Sequence, residues 1–503
     1  MGASRSLVQR RGIWLGAGLL CFAVLLTVVV GCSRRQETGT REGVFSEHSV
    51  RGVRVLFKQS GSRQSGSVFA VMLAGDGNQN PDEVHCAHIA EHMVFHNPLR
   101  DGSLSLGSWV QSKGDGERST AFYNGWTGPD HTQFELTLPD ASIPEALTRL
   151  TEALFPESID ETAYIDEINR RLWPELQHMT GNEQAAPLNA FRCAWFRGTP
   201  YDPGIFSVPV ATVQPDKVLA WMKREYSPQR LTIVVVARAP EGAILDALDR
   251  ALATVTEGPP PHPPAVRLSP APLTTVELPS FGEPVLMAGV GADGVSQEDH
   301  LPLALAFSLA VRRATSLTVA GLSSKPELTG QLATSTTRVA FAGYALADTA
   351  TVSGQEPGTA AVRLLKDALE DIARNGLSTD DRAQLEVLRQ QQPVLPTGVP
   401  PTLIEAWRRG MDEVPGMVVP DARALACADS AQLPVSIQAA VAEYLPRLLS
   451  AVVIVRGKQA GGAECPEGGG DLWHGVVREF PVCSRAAVRG VVFGASGDLS
   501  GVP

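Results

Sequence analysis

Short apolar runs alternate with polar turns in the first half of the chain. Residues 50–57 and 67–73 have the β-branched, apolar composition of strands, and a Gly/Asn/Asp/Pro-rich loop follows at 75–82. A helical pattern at 85–96 stops at Asn97-Pro98. Beyond it the pattern predicts strands at 132–138 and 231–237 and helices at 144–154 and 158–176.

The second half repeats this order after a proline-rich linker at 257–273. It contains a predicted strand, helix, strand, helix and final strand, at 284–290, 302–314, 338–345, 360–375 and 451–456. The pattern therefore predicts two similar domains of common size, at 46–256 and 274–458, and an appended Gly-rich tail at 459–503.

Composition and charge narrow the function classes. The chain has 503 residues, of which 44% are hydrophobic and 19% charged, as expected of a well-cored globular protein. The formal net charge is −11, and no long basic run occurs beyond the first residues. Nucleic acid is therefore not an expected partner.

The N-terminus has the features of an export segment. Arg5, Arg10 and Arg11 precede an uncharged stretch at 12–32. The stretch ends in Val-Val-Gly-Cys at 29–32, which resembles the lipobox of bacterial lipoproteins. The resemblance implies a signal peptide at 1–31, lipid on Cys32 and a polar tether at 32–45.

An uncleaved anchor helix is the alternative, because the apolar stretch is long enough to span a bilayer. The small Gly31 directly before the cysteine favours processing. We expect a lipid-anchored protein of the bacterial envelope that faces the periplasm. Ser33 carries no aspartate-type retention signal, which favours the outer membrane.

Seven cysteines are present, and none has Cys-x-x-Cys spacing, so a cysteine-based zinc site is not expected. Cys465 and Cys483 flank a Gly-rich loop and could pair, and export permits a disulfide. The odd number of cysteines leaves one without a partner. Cys427 also lies late in the chain, so the pairing among Cys427, Cys465 and Cys483 stays open. Cys86 fits a small buried residue.

The most informative motif is HIAEH at residues 88–92. On a helix His88 and His92 share a face and can both bind one Zn²⁺. Glu91 can accept a proton from a water that zinc activates. The apolar residues around the motif predict a buried helix, in which unpartnered His and Glu would be costly.

The sequence HCAHIAEHMVF resembles the signature of the pitrilysin, insulin-degrading enzyme and mitochondrial processing peptidase family. Residues 124–127 (NGWT) are similar to the family's N-A-x-T element, and Thr132 stands where a threonine opens the next family strand. Residues 160–168 (DETAYIDEI) resemble the segment that supplies the family's third zinc ligand. Individual motifs resemble those of the family over residues 50–237. Over residues 276–455 only the order of strands and helices resembles the family.

This resemblance implies roles for individual residues. Glu167 is expected as the third metal ligand, Asp160 as a supporting carboxylate and Asn124 as a substrate-binding residue. His96 is a rival ligand, but it lies eight residues, about 12 Å of helix, from His88. That distance is too long for a shared zinc.

The family resemblance implies an α+β fold. It has two homologous domains, each a mostly antiparallel sheet packed with helices, which together form half of a closed chamber. It further implies one Zn²⁺ per chain and hydrolysis of peptides or unfolded protein segments. A homodimer or a heterodimer with a related half-size chain would complete the chamber. We expect residues 68–73 to be an edge strand that pairs with extended substrate.

One departure from the family leaves other functions open. Active members present an arginine and a tyrosine to the substrate carbonyl, whereas residues 325–335 (KPELTGQLATS) contain neither. The alternative is therefore a catalytically weak or inactive homologue that acts as a partner or scaffold subunit. A structural envelope lipoprotein would bind no metal.

Overall fold

The computed structural model describes residues 45–457, apart from 62–64, 100, 101, 103, 115–120, 259, 262–265, 279–280, 317–318, 320, 324–325, 347–354, 391–398, 415–424 and 426–427. The predicted signal peptide, tether, Cys32, tail and late cysteines lie outside the described residues. Within them no helix has the length and hydropathy needed to cross a bilayer.

The first sheet has six strands in the order β1-β2-β6-β3-β5-β4. Its neighbours are antiparallel except for the parallel pair β2 and β6. The strands are β1 (Ser46–Val50), β2 (Val53–Gln59), β3 (Gly66–Met72), β4 (Phe122–Thr127), β5 (Thr132–Leu138) and β6 (Leu231–Ala237).

The second sheet has five strands in the order β7-β11-β8-β10-β9, with one parallel pair, β11 and β7. They are β7 (Leu273–Leu278), β8 (Val285–Ala292), β9 (Leu328–Thr334), β10 (Thr337–Ala345) and β11 (Leu449–Gly457). Counted from β2 and from β7, both sheets place their strands in the order first, fifth, second, fourth, third. This shared topology confirms the predicted α+β fold with two similar, mostly antiparallel domains.

Helices cover the sheets. In the first half they are α1 (Cys86–His96), α2 (Leu106–Ser112), α3 (Ile143–Leu154), α4 (Glu161–Glu167), α5 (Trp173–Gly181), α6 (Ala185–Phe196), α7 (Pro215–Glu225) and α8 (Glu241–Ala251). In the second half they are α9 (His300–Thr315), α10 (Gln355–Asn375), α11 (Thr379–Gln390), α12 (Pro401–Met411) and α13 (Leu433–Tyr444). The predicted helix at 158–176 is divided, because a π-helical segment at Ile168–Leu172 separates α4 from α5.

Each half of the chain contributes one helix that packs on the sheet of the other half. Helix α12 packs on the face of the first sheet opposite α1, where Thr402 bonds Ser67 at 2.8 Å. Helix α6 packs in return on the second sheet, where Phe191 and Trp195 lie against the backbone of β8. Each sheet is therefore closed by an element from the other half, an arrangement that the sequence pattern did not reveal.

The prediction that residues 68–73 form an edge strand is wrong. Strand β3 lies between β5 and β6, and every residue in it is buried. An unbroken apolar run is typical of a strand covered on both faces, and here α1 and α12 provide the two covers. The free edge nearest α1 is β4, whose residues are exposed or half-buried.

The contact between α12 and the first sheet gives a stability test. A Cβ added at Gly410 would lie 2.1 Å from the Phe69 ring, whereas one at Gly242 in α8 would meet nothing within 4 Å. Gly→Ala in a helix favours folding by about 1 kcal/mol when space is free. We expect Gly242→Ala to raise the free energy of unfolding and Gly410→Ala to lower it by about 1–3 kcal/mol through overpacking. Urea titration of both variants measures this, and equal stabilisation would contradict the interlocked packing.

Candidate metal centre

Helix α1 is fixed at its start by polar contacts. His85, the residue before the helix, has a left-handed φ of 74°, and its Nε2 lies 2.7 Å from the carbonyl of Val208. The side-chain oxygen of Gln79 accepts a hydrogen bond from the backbone N–H of Ala87 at 3.0 Å. One of the unpaired N–H groups at the helix start is thereby satisfied. These contacts fix the orientation of α1 about its own axis.

The structure brings His88 and His92 together with Glu175 of α5. The two imidazole rings are 5.0 Å apart. Nε2 of His88 and Nε2 of His92 lie 3.6 and 3.4 Å from the Glu175 carboxylate. One ligand atom from each residue lies within 4.8 Å of the other two. Two nitrogens and a carboxylate oxygen that leave one position open are the donor set of catalytic zinc sites.

Glu167, predicted from the sequence as the third ligand, lies on the other side of His92. Its Oε1 is 2.8 Å from Nδ1 of His92, whereas Nε2 faces Glu175. The two ring nitrogens point in different directions, so Glu167 does not share the position of Glu175. Among the described residues, the group whose geometry could hold a metal contains Glu175 and not Glu167. Glu167 takes the place of a carboxylate that orients a ligating imidazole.

The π-helical segment explains why the position of Glu175 beside the histidines was not evident from the sequence. Glu167 and Glu175 are eight residues apart, so a continuous α-helix would rotate one roughly 80° from the other. A π turn takes an additional residue. The segment at Ile168–Leu172 absorbs that residue, and both carboxylates face α1. A π turn leaves no simple mark in the sequence.

The structure places Asp160, which the sequence predicts as a supporting carboxylate, at the exposed start of α4. It is the N-cap of α4, and its Oδ1 accepts a hydrogen bond from the N–H of Ala163 at 2.7 Å. The connection between α1 and α4 is made by Asn97, which accepts from the N–H of Asp160 and donates to the carbonyl of Ser158. Asn97 therefore fixes the helix that carries Glu167 against the end of α1.

Glu91 is buried against the free edge strand. Its Oε2 accepts a hydrogen bond from Oγ1 of Thr127 at 2.9 Å. A Cβ at Gly125 would lie 2.6 Å from its Oε1, so glycine leaves the space that this carboxylate occupies. Burial raises the pKa of Glu91, against the opposing charges of His92 and His88. A raised pKa suits a carboxylate that accepts a proton near neutral pH.

Carboxylates surround the two histidines. Burial alone would lower the pKa of His92, but hydrogen bonds to Glu167 and Glu175 outweigh it and raise this pKa to about 10. The pKa of His88 is also raised, because Glu175 outweighs burial. Burial opposes ionisation of Glu175, yet the histidines lower its pKa. The carboxylates therefore favour positive charge at the two imidazoles.

His96 and Cys86 lie apart from the cluster. His96 contacts Arg171 and stands 3.7 Å from Glu167, behind the His92 ring. It is not part of the group that could hold a metal among the described residues, as its spacing predicted. Burial raises the pKa of the Cys86 thiol to about 12, which agrees with a packed core residue.

Asn124 lies on β4, exposed and opposite Glu135 of β5. In the described residues of β9 and β10, the arginine and tyrosine present are Arg338 and Tyr344, and both are buried. Arg338 is buried and donates to the carbonyl of Thr334, and Arg313 is paired with Asp381 and Asp371.

The similarity to known proteins agrees with this architecture. Residues 212–386 match the Peptidase M16 inactive domain. The histidines and Glu175 all precede this M16 segment. No curated protein sequence matches the chain at a significant level.

Several solved structures have a similar fold. The Peptidase M16 inactive domain from Pseudomonas fluorescens is 13% identical with a TM-score of 0.57, over 82% of this chain and 97% of that one. The first half of the periplasmic protease PqqL from Escherichia coli is 13% identical with a TM-score of 0.54, over 83% and 93%. The ferredoxin protease FusC, in complex with Arabidopsis ferredoxin, is 15% identical with a TM-score of 0.55, over 83% of this chain and 48% of that one. At these identities the likeness shows the fold.

The two candidate third ligands can be separated by metal binding. We expect Glu175→Gln to weaken Zn²⁺ affinity most, because it changes a ligand. Glu167→Gln should cost about 10–100-fold through loss of His92 orientation. Asp160→Asn, at a helix cap outside the centre, is the control and should leave affinity unchanged. Competition with a chromogenic chelator measures all three. Full metal loss in Glu167→Gln alone would restore the ligand predicted from the sequence.

Proposed function

We propose that this chain is a zinc-dependent endopeptidase acting on peptides or unfolded protein segments. The observation that carries the proposal is the meeting of His88, His92 and Glu175 within 4.8 Å, beside the buried Glu91. This is the arrangement that metal-assisted hydrolysis requires, namely three ligands and an adjacent base. The fold shared with PqqL and FusC, which are proteases, is consistent with it.

Each residue has a chemical role in the proposed reaction. His88, His92 and Glu175 would hold Zn²⁺, which when bound lowers the pKa of water and polarises a carbonyl. Glu91 accepts the proton of the attacking water and returns it to the leaving amine. Thr127 holds one carboxylate oxygen of Glu91 in place.

Strand β4 supplies the substrate-binding edge in this proposal. It is the last strand of its sheet, and Gly125 and Thr127 face the Glu91 carboxylate. An extended peptide that pairs with this edge is held through its backbone, so many sequences can bind. Its peptide groups would pass the metal centre, and Asn124 would contact it as predicted.

The second candidate is a catalytically weak partner or scaffold subunit. Its support is that Arg338 and Arg313 are engaged within the second domain and that residues 212–386 match an inactive domain. Loss of one oxyanion donor costs roughly 2.7–4 kcal/mol. We propose that a second copy or a related half-size chain supplies the missing groups and closes the chamber.

The proposed location is the periplasmic side of a bacterial envelope membrane, with the outer membrane favoured. The export segment and Cys32 support a lipid anchor. PqqL, which has the same fold, is a periplasmic protease.

Glu91→Gln tests the proposed chemistry. Glutamine keeps the size and the hydrogen bond to Thr127 but cannot take a proton. We expect Zn²⁺ to be retained and cleavage of a quenched peptide to fall by a factor of about a hundred or more. The assay is run with the chain alone and over a concentration range that covers self-association. Equal turnover by both proteins would assign the activity to a contaminant, and an inactive but zinc-loaded wild type would favour the subunit role.

Cys32→Ser tests the anchor. In a bacterial host we expect the substitution to abolish labelling by a radioactive fatty acid and to slow removal of residues 1–31. Ser33→Ala leaves the cysteine in place and is the matched control. Unlabelled wild type that stays in the membrane with Arg5 still present would show an anchor helix.

A further inference from the structure

The outer face of the free edge, opposite α1, carries a carboxylate with no described cationic partner. Glu135 of β5 stands opposite Asn124 of β4 in the antiparallel register. Its carboxylate is bonded to the amides of Asn124 and Gln133, the latter at 3.1 Å. Among the residues described in the structure, no lysine, arginine or histidine forms an ion pair with it.

The surroundings of Glu135 are closed on one side and open on the other. Toward the sheet centre its neighbour across the strand pair is Phe69, which is buried against α12 and offers no hydrogen bond. Toward the edge its direct neighbour is Asn124, which is exposed, and Phe122 of the same face is 43% exposed. Burial raises the pKa of Glu135 to about 7, against the two amide hydrogen bonds. An ionised carboxylate here has two amides as its hydrogen-bond partners and no described cation beside it, and the exposed Asn124 lies between it and the free edge.

A peptide paired with β4 would bring a side chain to this position. Its residue opposite Asn124 would lie about 9.6 Å from the Glu135 backbone, twice the usual strand spacing. A glutamate and a long basic side chain can close that gap between them by lying over the short Asn124. The next substrate residue would lie opposite Gly125, whose backbone abuts Glu91. The basic residue would therefore stand within one or two positions of the cleaved bond.

We propose that Glu135 is a specificity-determining residue that selects peptides with lysine or arginine next to the cleaved bond. The proposal rests on the proposed peptidase function and adds the substrate class. A desolvated pair between Glu135 and a basic side chain is stabilised by low solvent access, whereas a neutral side chain leaves the carboxylate uncompensated.

The test compares three quenched peptides that differ only at the residues flanking the cleaved bond: lysine, its uncharged analogue norleucine, or glutamate. Both ends are blocked, so that no terminal amine can replace the side chain. We expect wild-type kcat/KM to be at least tenfold higher for the lysine peptide than for the norleucine peptide. Glu135→Gln should bring that ratio close to one while the norleucine rate is retained. Glu135→Lys should favour the glutamate peptide.

Glu370→Gln removes the same charge from the exposed face of α10 in the second domain and is the matched control. It should keep the wild-type ratio. A lysine preference that survives in Glu135→Gln, or that falls equally in Glu370→Gln, overturns the proposal. Zinc content and thermal unfolding are measured for every variant, and Glu135→Lys keeps the proposal testable because a folding defect would not reverse the preference.

Binding separates this proposal from the proposed function. Zinc-loaded Glu91→Gln is titrated with fluorescent versions of the three peptides and followed by anisotropy, with and without Glu135→Gln. A lysine preference that depends on Glu135, together with a wild type that cleaves nothing, supports the specificity site and refutes the peptidase. Equal cleavage of all three peptides refutes the specificity site and supports the peptidase. Absence of binding to any peptide refutes both.

Discussion

The burial of α1 is the constraint on which the candidate metal centre depends. The helix carries His88, Glu91 and His92 into a core where an unpartnered polar group costs several kcal/mol, so each of the three side chains must have a partner. Glu175 faces both histidines and Glu167 supports His92 from behind. Thr127 bonds Glu91. The partners come from two other elements, β4 and the helical stretch α4–α5, and the centre therefore exists only when all three are assembled.

The exchange of helices between the halves supports this assembly. Helix α12 covers the face of the first sheet that α1 leaves open, and α6, which follows Glu175 closely in the chain, is seated on the second sheet. The position of α5 is thus tied to both domains. The two sheets have the same topology, and the helix with His88 and His92 packs on the first of them. The packing of each sheet depends on a helix from the other half.

Charge is distributed unequally across the free edge strand. On the α1 side, carboxylates surround two imidazoles, and the resulting potential suits a metal cation. On the opposite side, Glu135 is held by amides alone. A single extended peptide on β4 would present alternate side chains to these two faces. The geometry of the edge can therefore position both the chemistry and the selection of its substrate.

The sequence alone determined many of the secondary-structure elements and located the candidate histidines and carboxylate of α1. The apolar runs predicted the strands at 132–138 and 231–237, and the linker indicated two similar halves. The motif at 88–92 predicted two metal-binding histidines and a general base on one helix. These features are local, since strand and helix periodicity and the four-residue spacing of ligands are read within one element.

Only the tertiary structure decided which distant residues meet them. Glu175 faces the two histidines because a π turn, which has no sequence signature, shifts the helix phase by one residue after Glu167. Asp160 caps α4, and the contact between that helix and α1 is made by Asn97. Strand β3 became central and β4 the edge, because strand order depends on which segments pair and which helices cover them. These outcomes depend on contacts between residues far apart in the chain, and single-sequence patterns do not record such contacts.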